Sequence, residues 1–219
     1  MSWTYAWRVH VQSKYAIDLA EARRVIAEHG WARVITDSAA GLRATYGFFL
    51  LEDSEDDEVV VSGHFARADP QCADIEARSP ALLIFEGPHG FVSASWYRPE
   101  LTDVPSTMNH ISVHLQGTPE PLDGEQRFDV MTRTLERHED PLGESRWRLE
   151  GGGLELSRRI APQTVAFRLR ATRVEAKAKL SQAMPRPVRE RIVERLDEPG
   201  PHHHPELAAL MRRFSLTGP

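Results

Sequence analysis

Cysteine is nearly absent from this sequence, with Cys72 alone among 219 residues. That excludes an intramolecular disulfide and a metal site built on a cysteine cluster, and it fits a reducing compartment. Long apolar runs are missing too. No stretch reaches the roughly 18 apolar residues that a membrane-spanning helix needs. Met1 to His10 has no basic segment followed by an apolar one, so no secretory signal is expected and the chain reads as cytoplasmic. Neither sign of charge is in great excess: 27 Lys and Arg stand against 32 Asp and Glu. This balance gives no general electrostatic case for nucleic acid or a membrane surface as partner. A glycine-rich strand-to-helix fingerprint is also lacking, which argues against a Rossmann nucleotide site. Aromatic residues make up only 8% of the chain, yet Trp3, Tyr5, Trp7 and Tyr15 gather at its start. Such a segment is expected to pack on the domain or on a partner.

What is present can bury a core, since 41% of the residues are hydrophobic. Asp18 and Glu21 resemble a capping box opening a helix to His29, with Leu19, Ala22, Val25 and Ile26 at helical spacing and Gly30 as a stop. Trp31 to Thr36 and Leu42 to Leu51 read as a hairpin around a turn at 37–41. The acidic stretch Glu52 to Glu58 reads as a solvated loop. Val59-Val-Val61 is a β-branched run that leads through Gly63 to His64, and Asp69-Pro70 marks a turn and a short helix to Arg78. Further strands are expected at Ala81–Phe85, Phe91–Ser95, Met108–Gly117 and Thr164–Thr172, with Gly87-Pro-His-Gly90 as a tight connection. On the third of these, His110, Ser112 and His114 share one face, which should meet solvent, a subunit interface or a cofactor. Helices are expected at Leu122–His138, with Phe128, Met131, Leu135 and Thr132 buried, and at Pro187–Leu196 and Glu206–Phe214. Residues 140–153 form a turn-rich loop that suits a lid or a plain surface loop. The sum is seven or more short strands, an α+β fold, mainly an antiparallel split β-barrel with peripheral helices. The expected division is residues 1–183 as the barrel domain and 184–219 as a helical extension, packed on it or on a dimer partner.

Two blocks carry a resemblance as well as a pattern: Gly63-His-Phe-Ala-Arg-Ala-Asp-Pro-Gln71 and Phe85-Glu-Gly-Pro-His-Gly-Phe-Val-Ser-Ala-Ser-Trp-Tyr97. Together with Val104-Pro-Ser-Thr-Met-Asn-His110, Val113-His114 with Gly117, and Lys177-Ala-Lys-Leu-Ser-Gln182, they resemble the PaiB-like, FMN-binding split-barrel family. Its members are often described as flavin-binding negative transcriptional regulators. The chain departs from that pattern at Met108-Asn109-His110, where Trp-Asn-Tyr is usual, and at Ala183-Met184, where Asn-Arg is usual. With those changes it resembles the haem-dependent piperazate synthase branch. The resemblance implies haem b as cofactor, L-N5-hydroxyornithine as substrate, L-piperazic acid as product, and a homodimer with the cofactor near the subunit interface. A flavin- or haem-binding regulator without catalysis, and an FMN-dependent oxidoreductase on the same barrel, are the competing classes.

The resemblance places the haem-iron axial ligand at His64, a role a neutral imidazole can fill. Taken on the residues alone, His64 fits a hydrogen-bonded structural histidine as well. Cys72 is a competing ligand type, although a buried small-residue role suits it too. His110 and His89 are candidates for proton handling, and Tyr97 for hydrogen-bond donation; each also fits a structural role. Trp96 and Met108 could line a macrocycle or simply pack. Asn109 could bind a backbone group or a substrate carboxylate. Arg67 and Lys179 supply positive charge for a carboxylate or haem propionate, or form ordinary surface pairs. Ser181 and Gln182 could position their segment by hydrogen bonds. His202-His203-His204 lies between prolines and reads as an exposed linker more readily than as a metal site.

Overall fold

The computed structural model describes residues 9–39, 41–54 and 58–215, so the expected packing of Trp3, Tyr5 and Trp7 lies outside the described residues. In chain order the elements are α1 (Leu19–Glu28), β1 (Trp31–Ser38), β2 (Gly41–Leu51), β3 (Val60–Ala66), α2 (Cys72–Glu76), β4 (Ala81–Val92), β5 (Thr107–Leu122), α3 (Gly124–Glu139), α4 (Gly151–Ile160), β6 (Thr164–Lys179), α5 (Arg186–Asp197) and α6 (Pro205–Ser215). The fold is α+β, an antiparallel sheet of six strands with helices at its periphery.

The expected split barrel of seven or more short strands is corrected here. Six strands run in the order β1-β2-β3-β6-β5-β4, and the order closes on itself through the β1–β4 pair, Ala32↔Phe85 to Thr36↔Ala81. Three strands are long, β4 with 12 residues and β5 and β6 with 16 each. The difference has a physical source: glycine and proline, ordinarily found at strand ends, lie inside β4 at Gly87, Pro88 and Gly90. A Cβ at Gly90 would lie 2.9 Å from Leu207 Cδ2. Glycine serves close approach at that point, not a turn.

By contacts the chain divides into two compact units. One is built on Asp18–Phe85 and Val113–Glu175, the other on His10–Ile17, Glu86–Ser112 and the chain from Ala176. In the first unit, Asp18 caps α1 by accepting the Glu21 N–H at 2.8 Å, and Ala22, Val25 and Ile26 are buried. The β1–β2 hairpin runs in register from Trp31↔Phe48 to Ser38↔Gly41, with Gly41 at φ 96°. Inward residues alternate along the strands, and the Phe49 ring packs against Phe65, Phe85 and Phe167 at centroid distances of 6.4, 6.1 and 5.5 Å. A buried polar knot ties α2 to this hairpin. The Thr36 hydroxyl donates to Asp74 at 2.7 Å, Gln71 donates to the Val34 carbonyl at 3.1 Å, and Arg43 pairs with Asp74.

Helix α3 buries Val130, Met131 and Thr134. The expected stripe is therefore rotated, and Leu135 is exposed. Thr134 tolerates burial because its hydroxyl donates to the Val130 carbonyl at 2.7 Å. Arg133 on the same helix grips Glu52 with two bonds of 2.7 and 2.9 Å, and Ser62 donates to that carboxylate from β3. Burial, the largest influence, raises the Glu52 pKa, but the bonds from Arg133 and Ser62 together hold it below its ordinary value.

In the second unit, α5 and α6 pack together, with Val188, Ile192, Val193 and Leu196 of α5 and Leu207, Ala208 and Met211 of α6 buried. The basic residues of α5 are paired with its acidic ones or with neighbours, as Arg186 is with Glu190 at 2.9 Å. Residues 140–153, expected as a loop, begin with a 3-10 segment, Asp140–Ser145, and end inside α4.

Candidate functional site

The candidate site begins with His64, one residue beyond the point where β2 and β3 pair as Phe49↔Gly63. Strand alternation puts the His64 side chain on the face opposite the Phe49 core, beside Phe48 of β2 and Ala166 of β6, its direct register partner. Trp31 is the register partner of Phe48. The row Trp31–Phe48–His64–Ala166 therefore crosses the sheet. Helix α3 lies over the stretch from Phe48 to Ala166, where Val130 packs with Ala166 and the His138 ring meets Phe48 edge-on at 4.3 Å. The Trp31 end is open: Trp31 is 60% exposed and stacks on Tyr46 at 6.2 Å, with Arg33 donating to the Tyr46 hydroxyl at 2.9 Å. This aromatic face was missed in the sequence. Its signal was there in the alternation of Trp31, Arg33 and Ile35 against Leu42, Ala44, Tyr46 and Phe48.

His64 is half-buried, and its Nδ1 is buried with no hydrogen-bond partner. Burial pushes its pKa below the ordinary value, so the ring is neutral at pH 7. A neutral imidazole retains a nitrogen lone pair, the requirement for ligating a metal. Gly63 lets the strands close up here, since a Cβ would lie 2.7 Å from the Phe49 ring. Arg67, three residues on, is already engaged. It bonds Glu76 at 2.8 Å and the Pro162 carbonyl at 3.1 Å. Cys72 is buried in α2, and burial, with help from Asp69 and Glu76, pushes its thiol up to about 11. It is a thiol rather than a thiolate at neutral pH and a poor ligand in that form.

The remaining expected site residues belong to the second unit. His110 on β5 is half-buried, and its pKa is lowered first by burial and then by the charges of Lys177, Lys179 and His89. The two lysines are the fixed charges near it, and Lys179 Nζ donates to the Thr107 hydroxyl at 2.5 Å. Met108 beside it is 47% exposed. Asn109 points inward and is wholly buried. Its amide donates to Ser181 Oγ at 3.0 Å and Met211 Sδ at 3.3 Å, and its carbonyl oxygen accepts the Ser181 hydroxyl at 3.1 Å. Gln182 folds back on its own turn, accepting the Leu180 N–H at 2.7 Å. Asn109 and Ser181 thus join the end of β6 to β5 and α6. Tyr97 is fully buried, its hydroxyl is unpartnered, and burial raises its pKa. His89 is exposed, and Trp96 lies edge-on to His202 at 5.9 Å.

Residues 9–173 match the family described as "Putative FMN-binding domain". The chain belongs to this FMN-binding domain family. The curated Bacillus subtilis (strain 168) "Protease synthase and sporulation protein PAI 2" is 33% identical over 117 residues, 52% of this chain and 53% of that protein. The chain thus spans about half the length of that relative. Solved structures share the fold of this FMN-binding domain protein at lower identity. The FAD and haem binding protein from Mycobacterium smegmatis aligns at TM-score 0.55 and 16% identity, over 76% of this chain and 74% of that one. The flavocytochrome Anf3 from Azotobacter vinelandii aligns at TM-score 0.57 and 18% identity, over 80% and 74%. The PaiB-like resemblance holds at the level of the family. Nothing in these likenesses singles out the piperazate synthase branch. Among the described residues no group of three or more His, Cys, Asp and Glu could hold a metal ion, and no helix is long and apolar enough to cross a membrane.

Proposed function

We propose that this chain binds a flavin or haem cofactor, and that His64 makes haem the better fit. The observation that carries this reading is the state of the imidazole: neutral through burial, without a protein partner on Nδ1, and set in a row with Phe48 and Trp31. Haem iron needs an axial protein ligand, not a cluster of three, so a lone neutral histidine suffices. Haem b is the haem that the family resemblance implies, and a single cysteine is compatible with its non-covalent binding. The printed names of the two solved relatives, an FAD and haem binding protein and a flavocytochrome, support the same cofactor classes.

Within the haem reading, the finer proposal is the dehydrating cyclisation of L-N5-hydroxyornithine to L-piperazic acid by a homodimer. The N–N bond forms, the N–O bond breaks and the hydroxyl leaves as water, so no external oxidant or reductant enters the balance. Bound haem would supply a Lewis-acidic iron for the hydroxylamine. The chain's own part is to position and to handle protons. Lys177 and Lys179 offer charge to a carboxylate, and His110, held neutral by burial and by those lysines, can accept a proton. His89 is the other proton-handling candidate, and Tyr97 is a candidate hydrogen-bond donor. The second reading is a flavin- or haem-binding regulator without catalysis. The relatives as a group support that broader class more than they support the cyclase, and the Bacillus relative's name concerns protease synthesis and sporulation.

The test is spectroscopic first. Purified chain titrated with haem should develop a Soret band that His64→Ala abolishes; a Soret band unchanged in the variant would refute the ligand assignment. Haem-loaded protein is then given L-N5-hydroxyornithine, and mass spectrometry looks for the dehydrated cyclic product. Full haem occupancy without turnover would sink the cyclase and leave the regulator.

A further inference from the structure

The second unit contains a cavity of about 490 Å³. Trp96, Arg98, Arg191, Arg195, His202 and His203 lie in its wall. The triple His202-His203-His204, an exposed linker by its sequence, is divided in the fold. His204 serves α6: its Nδ1 accepts the Leu207 N–H at 3.3 Å, and its own N–H donates to the Leu196 carbonyl at 2.7 Å. His202 turns the other way and packs its ring on Phe91 at 5.2 Å and on Trp96 at 5.9 Å. The wall is therefore aromatic on one side.

The guanidinium groups are not equivalent. Arg191 is fully engaged, with bonds of 2.7 and 2.8 Å to Glu100, 2.6 Å to the Arg98 carbonyl and 3.2 Å to the Trp96 carbonyl. It fixes the backbone of 96–100. Arg195 pairs with Glu198 at 2.6 Å. The Arg98 side chain has no carboxylate or other side-chain partner among the described residues, while its own carbonyl is clamped by Arg191. An uncompensated guanidinium on a backbone held in place, beside the Trp96 and His202 rings set edge-on to each other, suits a ligand that is flat at one end and anionic at the other. A cavity of this volume falls in the range for small-molecule sites and admits a ligand of mononucleotide size.

We infer that this cavity binds a small aromatic phosphate ester, its ring against Trp96 and His202 and its phosphate on Arg98. The inference is independent of the His64 reading, because none of its residues is assigned to the iron.

Adenosine monophosphate is the probe, titrated into the full chain by calorimetry beside adenosine and inorganic phosphate. The ester should bind at least tenfold more tightly than either half. Arg98→Ala should weaken the ester about tenfold or more, the loss of one charge-assisted contact, and leave adenosine unaffected. His202→Ala should weaken the ester and adenosine by the same factor, since stacking is common to both. A melting curve verifies each fold; if Arg98→Ala does not fold, Arg98→Gln is read in its place. No binding of adenosine monophosphate at millimolar concentration, or wild-type affinity in the Arg98 variant, would overturn the assignment.

Discussion

Replacing Asn109 with alanine should destabilise the protein by about 3–5 kcal/mol, even with no cofactor present. The carboxamide is wholly buried and exchanges two hydrogen bonds with the Ser181 hydroxyl, at 3.0 and 3.1 Å. A side-chain hydrogen bond contributes about 1 kcal/mol net, and a buried group left without its partner adds a penalty of about 1–3 kcal/mol. Ser181 is itself only 7% exposed, so water cannot readily replace the amide. Ser181→Ala should be harmful for the mirror-image reason, because it strands the amide. Serine and alanine face the same backbone demand at φ 62°, so this change does not release strain. The double variant should then be less harmful than the sum of the two by about 1–2 kcal/mol, since the second truncation removes the group orphaned by the first. Urea titrations followed by circular dichroism measure all three, provided the slope with denaturant stays constant. Strict additivity, or an Asn109→Ala loss under about 0.5 kcal/mol, would refute the reasoning. If Asn109 served only to hold a cofactor, its removal would leave the apo-protein's stability untouched.

Two further outcomes are expected. Gly63→Ala should lower stability by about 1–3 kcal/mol, because its Cβ would lie 2.7 Å from the Phe49 ring and 2.8 Å from the Phe48 carbonyl oxygen; a melting temperature equal to wild type would show that the core yields at no cost. Acidification should destabilise the fold partly through His64. With its folded pKa depressed, both states are neutral above the ordinary value of about 6.5, and below that the unfolded chain takes up the proton first. The penalty therefore grows as pH falls from the ordinary value through the depressed one. His64→Phe should flatten the decline in melting temperature between about pH 7 and 5, and an unchanged slope would contradict the assignment.

Local chemistry made several elements legible in the sequence. The Asp18 cap, the Val59–Val61 strand and the hairpin after Trp31 each follow from a short-range cause that outside packing does not reverse. The long strands were obscured because Gly87, Pro88 and Gly90 look like turn residues, whereas Gly90 is needed for the approach of Leu207. Helix α4 was hidden by its three opening glycines, each about 1 kcal/mol less favourable than alanine in a helix. Gly153 in fact meets the Trp147 ring, where a Cβ would lie 2.7 Å away. At the candidate site, motif similarity marked positions without sorting their duties. Only burial and partners separate His64, whose Nδ1 has no protein partner, from Asn109 and Ser181, which face each other. The Trp31–Tyr46 face escaped notice because it depends on pairing between strands that no single segment displays.

Gly63 has a wider implication. The space that its missing side chain leaves is occupied by the ring of Phe49, which lies among Phe65, Phe85 and Phe167. The lateral position of His64 is therefore set from inside the aromatic core. A heritable change in any of those four rings would be transmitted to the imidazole through one glycine. Under the proposed role of His64, cofactor affinity would drift with interior repacking even while every residue at the outer face stayed the same.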